Sequence, residues 1–251
     1  MKVTGERVFT PEGGFNPTWQ RHVAAYAECA RFLPAGRVLD LGCGVGHSFQ
    51  LLAPRETVGV DRDPDALEGQ ERETHVADMR SLPFEDGSFA SVLSVQSIEH
   101  VPDPERVLTE VIRVLEPRGV AVLVTPNRLT FARPDEIIDP YHYVEYDPGQ
   151  LRELCARFFD SVELWGLFGS QRYLDIVAGE RRQLDALLRR DPLRLRRLLP
   201  RGLRQRLYDW RLRRERSDPD PRVAAIAPAD FRLAEGPLDE ALDLVAVCRT
   251  T

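Results

Sequence analysis

Short apolar runs, each closed by an acid, recur through the first third of the chain. Val38-Leu39-Asp40-Leu41, Thr57-Val58-Gly59-Val60-Asp61 and Thr74-His75-Val76-Ala77-Asp78 all have this form, and each has the length and β-branched content of a buried parallel strand. Phe89–Val95 is apolar almost throughout and suits a central strand. Gly119-Val120-Ala121-Val122-Leu123-Val124-Thr125 makes a fifth, Ser161–Phe168 a sixth and Leu242–Cys248 a seventh. Between them the apolar spacing changes to that of a helix. Val107, Leu108, Val111, Ile112 and Leu115 follow Asp103-Pro104, an N-cap with proline at the first helical position, and Pro117-Arg118-Gly119 closes the pattern. Asp147-Pro148 opens a similar helix that runs to Phe158. Asn16-Pro17 opens another, with Val23, Tyr26, Ala27, Ala30 and Phe32-Leu33 on its apolar face and Pro34-Ala35-Gly36 at its end. Strands alternating with helices predict an α/β fold around a mostly parallel sheet.

The first strand runs into Gly42-Cys43-Gly44-Val45-Gly46-His47 and then into Ser48–Ala53, which has helical character. Glycines let the backbone take positive φ and let a ligand approach, and a helix start offers N–H groups to an anion. The dinucleotide fingerprint requires a third glycine where His47 stands, and the Gly-Lys-Ser/Thr of a phosphate-binding loop is absent. Asp40 beside the turn would repel a pyrophosphate, and it suits a ligand that carries an ammonium group. Asp61, at the tip of the second strand, can accept hydrogen bonds from both hydroxyls of a ribose. A helix cap before Pro64 is the competing use of Asp61 or Asp63.

Val38–Gly46 resembles motif I of the class I S-adenosylmethionine-dependent methyltransferases, in particular the type 11, ubiquinone-biosynthesis-like branch. The resemblance implies a Rossmann-like α/β fold with a seven-stranded sheet in the order 3-2-1-4-5-7-6, its last strand antiparallel. It covers residues 36–168, the cofactor-binding core, and the final strand, 239–251. Residues 1–35 then form an irregular arm and a cap helix whose Trp19 and His22 can reach the ligand, and residues 169–238 form a helical insertion. S-adenosylmethionine is the implied cofactor. Its contacts are expected from Asp40, Gly42, Cys43, Gly44, Gly46, Asp61, Arg62, Asp78, Met79, Ser94 and Gln96, with Asp78 on the adenine amino group and Met79 beside the ring.

The acceptor side carries no motif. Arg128–Gly149 is a long connection, and loops of that length inside compact domains are usually functional or disordered. It holds Asp139-Pro140-Tyr141-His142-Tyr143-Val144-Glu145-Tyr146, rich in groups that bind or deprotonate a hydroxyl. His142 is the expected base, with Glu145 to orient it. His100, at the carboxyl edge of the fourth strand, is the other candidate, with a cofactor-pocket or packing role as its plainer use. The expected reaction is methylation of a small-molecule, glycan or lipid-linked acceptor, most simply at oxygen. A nicotinamide-dependent oxidoreductase and a non-catalytic cofactor-binding partner protein remain as alternatives.

Composition adjusts this picture in three places. The 251 residues, 43% hydrophobic, suffice for one α/β domain with appended structure. Cys29, Cys43, Cys155 and Cys248 lie far apart without metal-ligand spacing, so neither a metal nor a disulfide framework is expected. That usage, with no long apolar run or signal peptide, points to a cytoplasmic protein. The net charge of −6 hides an asymmetry: from Arg181 to Arg216 fourteen arginines face four acids, net +10, which leaves −16 for the remainder. Leu184, Leu187 and Leu188, then Leu203, Leu207 and Trp210, keep helical spacing there. The segment reads as a basic helical lid, or as a dock for anionic lipid headgroups or for a phosphate-bearing substrate; nucleic acid is not expected, because the body is acidic. Oligomeric state is not legible.

Overall fold

The structure is a computed structural model that describes residues 16–131, 136–189, 191, 198–215 and 221–251. The expected irregular arm, residues 1–15, lies outside the described residues, as do the side chains of Leu184, Leu187 and Leu188.

Among the described residues eight strands form one sheet: β1 (Val38–Leu41), β2 (Thr57–Asp61), β3 (Thr74–Val76), β4 (Phe89–Val95), β5 (Leu115–Pro126), β6 (Ser161–Gly169), β7 (Phe231–Ala234) and β8 (Asp243–Arg249), in the order β3-β2-β1-β4-β5-β8-β6-β7. β1 to β5 are mutually parallel, and β8 runs antiparallel between β5 and β6. The seven-strand order expected from the sequence is therefore present. The eighth strand is a correction: it comes from the segment expected to be a helical insertion and pairs antiparallel with the outer edge of β6. The run is only four residues, Phe-Arg-Leu-Ala, too short to stand out from its helical surroundings until an edge is there to pair with.

Among the described residues the helices that accompany the sheet are α1 (Asn16–Cys29), α2 (Pro64–Leu67), α3 (Pro104–Val114), α4 (Arg128–Phe131), α5 (Pro148–Ala156), α6 (Gln171–Leu188), α7 (Arg201–Glu215) and α8 (Pro221–Ala224). The central strands are buried on both faces, so their alternate residues feed two cores. Leu39, Leu41 and Val92 join α3 and α5 on one side, whereas Val38, Leu93 and Val95 join α1 on the other. α3 shows why the helices dock. Asp103 caps it by accepting from the Arg106 N–H, and Val107, Leu108, Val111 and Val114 are buried along one face. At about 1.5–3 kcal/mol per buried aliphatic side chain, that face outweighs any helix propensity in holding the element.

Three local expectations need correction. Asn16 does not act simply as a cap: its side-chain amide donates to the carbonyls of Val223 and Ile226, pinning α1 to α8. The stretch after the glycine turn forms only a four-residue 3-10 turn, Phe49–Leu52, so no long helix starts behind the turn. α3 ends at Val114, before Pro117, because Leu115 already pairs with Phe89 as part of β5.

Candidate functional site

The cleft opens at the carboxyl edge of β1, β2 and β4, where parallel sheets place their ligand chemistry. β1 ends by turning through Gly42 at φ +76° and Gly44 at φ +51°. Both are left-handed conformations that side chains resist. A Cβ on Gly42 would stand 2.4 Å from Ser97 Oγ, so the turn can lie against β4 only without one. A Cβ on Gly44 would meet nothing within 4 Å, which leaves that face of the backbone open to a ligand. The Gly42 and Cys43 N–H groups both donate to Val60 O, at 2.8 and 2.9 Å, and lock the turn onto β2.

Asp61 closes the far wall. Its Oδ2 accepts from the Gly44 N–H at 3.0 Å and its Oδ1 from the Asp63 N–H at 2.9 Å. Both donors are backbone groups, so they fix the orientation of the carboxylate at the cleft. The cap of α2 is made by Asp63, which accepts from the Asp65 N–H and leaves Asp61 to the cleft. Arg62, Asp78 and Met79 also line the cleft, as does Cys43, whose thiol burial pushes up. Asp78 is gripped through both oxygens by Arg80, at 2.9 and 2.6 Å, and that hydrogen bonding holds its pKa at about 2. From the cap helix His22 reaches the lining, while Trp19 packs on His47 with ring centroids 4.2 Å apart. Gln96 lines the cleft with φ +53°. This strained turn is held by its own N–H on Val124 O and by its side-chain amide on Asp243 Oδ1, both at 2.8 Å.

Three expected contacts do not reach the cleft. Asp40 is fully buried, with Oδ1 accepting from the Tyr26 hydroxyl and Oδ2 from Arg72, both at 2.7 Å. Its expected ammonium partner is replaced by a guanidinium of the protein, because a carboxylate this deep requires a counter-ion in the fold itself. Ser94 is buried on β4, below the edge reached by Val95 and Gln96. Gly46 faces the Gln70 side chain and not the cleft.

The two candidate bases occupy successive layers. His100 lines the cleft, and its Nδ1 donates to Tyr141 O at 3.4 Å. Burial, then repulsion from His142, lowers its pKa to about 3, so the ring is neutral. His142 lies behind it, buried, with ring centroids 4.9 Å apart and Nδ1 at 2.9 Å from Glu145 Oε1. Burial pulls the His142 pKa down, but the bond to Glu145 and the charge of Asp139 more than offset this, and the net shift is upward.

Sequence reasoning missed the group between them. Glu99 is fully buried and accepts from Thr125 Oγ1 through one oxygen; the other makes no hydrogen bond and stands 4.0 Å from His100 Nε2. Burial raises its pKa to about 7. Ligand atoms of Glu99, His100 and His142 lie within 4.8 Å of one another, so the three compete for the same protons. Arg72 and Asp243 were missed as well; neither sits in a pattern that marks it, since each matters only through a partner remote in the chain.

The loop of residues 139–143 is held by α7. Arg201 donates to Pro140 O and Tyr141 O, both at 2.9 Å, and its guanidinium stacks 3.6 Å from the centre of the Tyr143 ring. Tyr141 donates to Asp209 at 2.8 Å and Tyr208 to Asp139 at 3.0 Å.

Comparison with known proteins gives this geometry its context. Residues 39–123 match the family described as a methyltransferase domain. A probable S-adenosylmethionine-dependent methyltransferase of Mycolicibacterium smegmatis is 30% identical, over 98% of this chain and 94% of its own length. The chloroplastic tocopherol O-methyltransferase of Arabidopsis thaliana is 31% identical over 49% of this chain and 38% of its own. Among solved structures, an S-adenosylmethionine-dependent methyltransferase of Thermotoga maritima, a possible histamine N-methyltransferase, aligns over 94% of both chains with a TM-score of 0.59 and 18% identity.

Proposed function

The chain belongs to the S-adenosylmethionine-dependent methyltransferases, and from that premise we propose that it methylates an oxygen of a small-molecule, glycan or lipid-linked acceptor. Membership sets aside the nicotinamide-dependent reading, and S-adenosylmethionine is the cofactor. The cleft suits it: Gly44 leaves room for backbone approach, Asp61 stands at the strand tip where a ribose would lie, and Asp78 and Met79 lie where the base would rest.

When bound, the cofactor would supply an electrophilic methyl group, and a hydroxyl that takes it up has a proton to lose. The proton of an attacking hydroxyl must therefore pass to the protein. The observation that carries the oxygen reading is the pair of packed histidines, His100 on the cleft lining and His142 buried behind it with ring centroids 4.9 Å apart, each held by its own partner, Tyr141 O and Glu145. His100, neutral and fixed through Nδ1 on Tyr141 O, accepts the hydroxyl's hydrogen bond but is too weakly basic to keep the proton. The proton would leave through Glu99, whose Oε1 stands 4.0 Å from His100 Nε2, to His142, the stronger base behind them, supported by Glu145 and Asp139. The name of the Arabidopsis relative, an O-methyltransferase, agrees with transfer to oxygen.

The test is methyl transfer from labelled S-adenosylmethionine to a panel of hydroxylated and aminated small molecules, glycans and lipid-linked sugars. Methyl ethers as products, with turnover lost in His100→Ala, are expected. Products methylated only at nitrogen would overturn the oxygen assignment.

A further inference from the structure

α7 is turned the opposite way from an ordinary surface helix. Its half-buried side is polar, made of Arg201, Arg204, Gln205, Tyr208 and Asp209 at successive helical turns. Its outer side carries Leu203, Leu207 and Trp210, exposed by 43%, 50% and 60%, with Arg206 beside them. A lid stabilised in the usual manner would bury that apolar stripe and turn its arginines to water. Here the polar side is spent on the acceptor loop, through the Arg201, Tyr208 and Asp209 contacts described above. Leu198, 81% exposed, extends the outer apolar surface just ahead of the helix.

Charge says what this surface fits. The stripe lies within the Arg181–Arg216 segment, net +10 on an otherwise acidic chain. Two copies of the chain meeting through this same face would bring those charges together, which disfavours a symmetric pair. An anionic surface is attracted to the same charges. Leucine and tryptophan framed by arginine is the composition that settles at a headgroup boundary.

We propose that α7 is an interfacial helix that seats the protein on an anionic lipid surface, with Leu203, Leu207 and Trp210 entering the headgroup boundary and Arg206 beside them on the phosphates. The contact is peripheral: among the described residues no helix is long and apolar enough to cross a membrane. Seating brings residues 139–143, held on the other side of α7, to within about one helix diameter of the lipid, roughly 10 Å. A lipid-borne hydroxyl then has a short path to His100. That consequence, unlike the seating itself, rests on the oxygen-transfer reading above.

Flotation of the full chain with phosphatidylcholine vesicles, with and without phosphatidylglycerol, tests the proposal. The protein is expected to float only with the anionic vesicles and to be released by high salt. The triple variant Leu203→Gln, Leu207→Gln, Trp210→Gln changes only exposed positions. It is expected to bind at least tenfold more weakly, with unaltered melting temperature and S-adenosylhomocysteine affinity. Absence of flotation with phosphatidylglycerol, or flotation of the variant equal to that of the parent, overturns the proposal. So does a parent that sediments as a dimer and does not float, paired with a monomeric variant, because the face then joins two copies of the chain.

Discussion

The cofactor edge and the acceptor side of this sheet are built by different means. Along β1, β2 and β4 the site is made of backbone: two left-handed glycines, a turn bonded to Val60 O, and a strand-tip carboxylate holding the Gly44 N–H. Across the cleft nearly everything is side chain, brought together from residues 96–100, 139–146 and 201–209. A backbone site keeps its shape whatever surrounds it, whereas a side-chain site can be retuned by one exchange in any of three segments.

This contrast can be broken most forcefully at Asp40. As a strand-end acid it looks like a ligand contact, yet it forms a buried ion pair with Arg72, with side chains 1% and 4% exposed. Asp40→Ala leaves Arg72 buried without compensation, and a loss of about 3–5 kcal/mol of stability is expected. Denaturant unfolding measures it, and a loss under about 1 kcal/mol would show that the pair is not structural.

A smaller effect, about a hundredfold in turnover, is expected for His142→Gln, in keeping with the lower range for a positioned base. The pH profile sharpens the point. A base whose pKa is raised must shed its proton before it can receive another, so the parent's rate should rise with pH through a value above 6.5. The variant should lose that limb. A profile unchanged in shape would take His142 out of the proton path.

The smallest effect is at Glu99, whose pKa burial raises to about 7. The unfolded chain ionises this group near 4.5, so the penalty is absent at pH 4.5 and grows as pH rises through 7. Glu99→Gln should therefore raise the melting temperature at pH 8 by a few degrees, at roughly 2–4 °C per kcal/mol, with no gain at pH 4.5. Equal stability of the two proteins at pH 8 would contradict the assignment.

The same contrast explains what the sequence disclosed. Strand tips and turns depend on a few consecutive residues, so Asp61, Asp78 and the Gly42–Gly44 turn could be read directly, as could the order of seven strands. Asp40 was misread because periodicity places an acid at a strand end but does not show Arg72, thirty-two residues on, folding over it. β7 was missed because four residues become a strand only beside the edge of β6. α7 was recognised as a basic helix, but which face it turns outward follows from Tyr141 and Asp139 and not from its own pattern.

The central claim is that Asp61 holds the cofactor's sugar from a wall made of backbone. Titration of S-adenosylhomocysteine into the parent protein and into Asp61→Ala, followed by calorimetry, tests it most directly. Loss of two hydrogen bonds to a carboxylate should weaken binding on the order of 100-fold. Equal affinities would contradict the account.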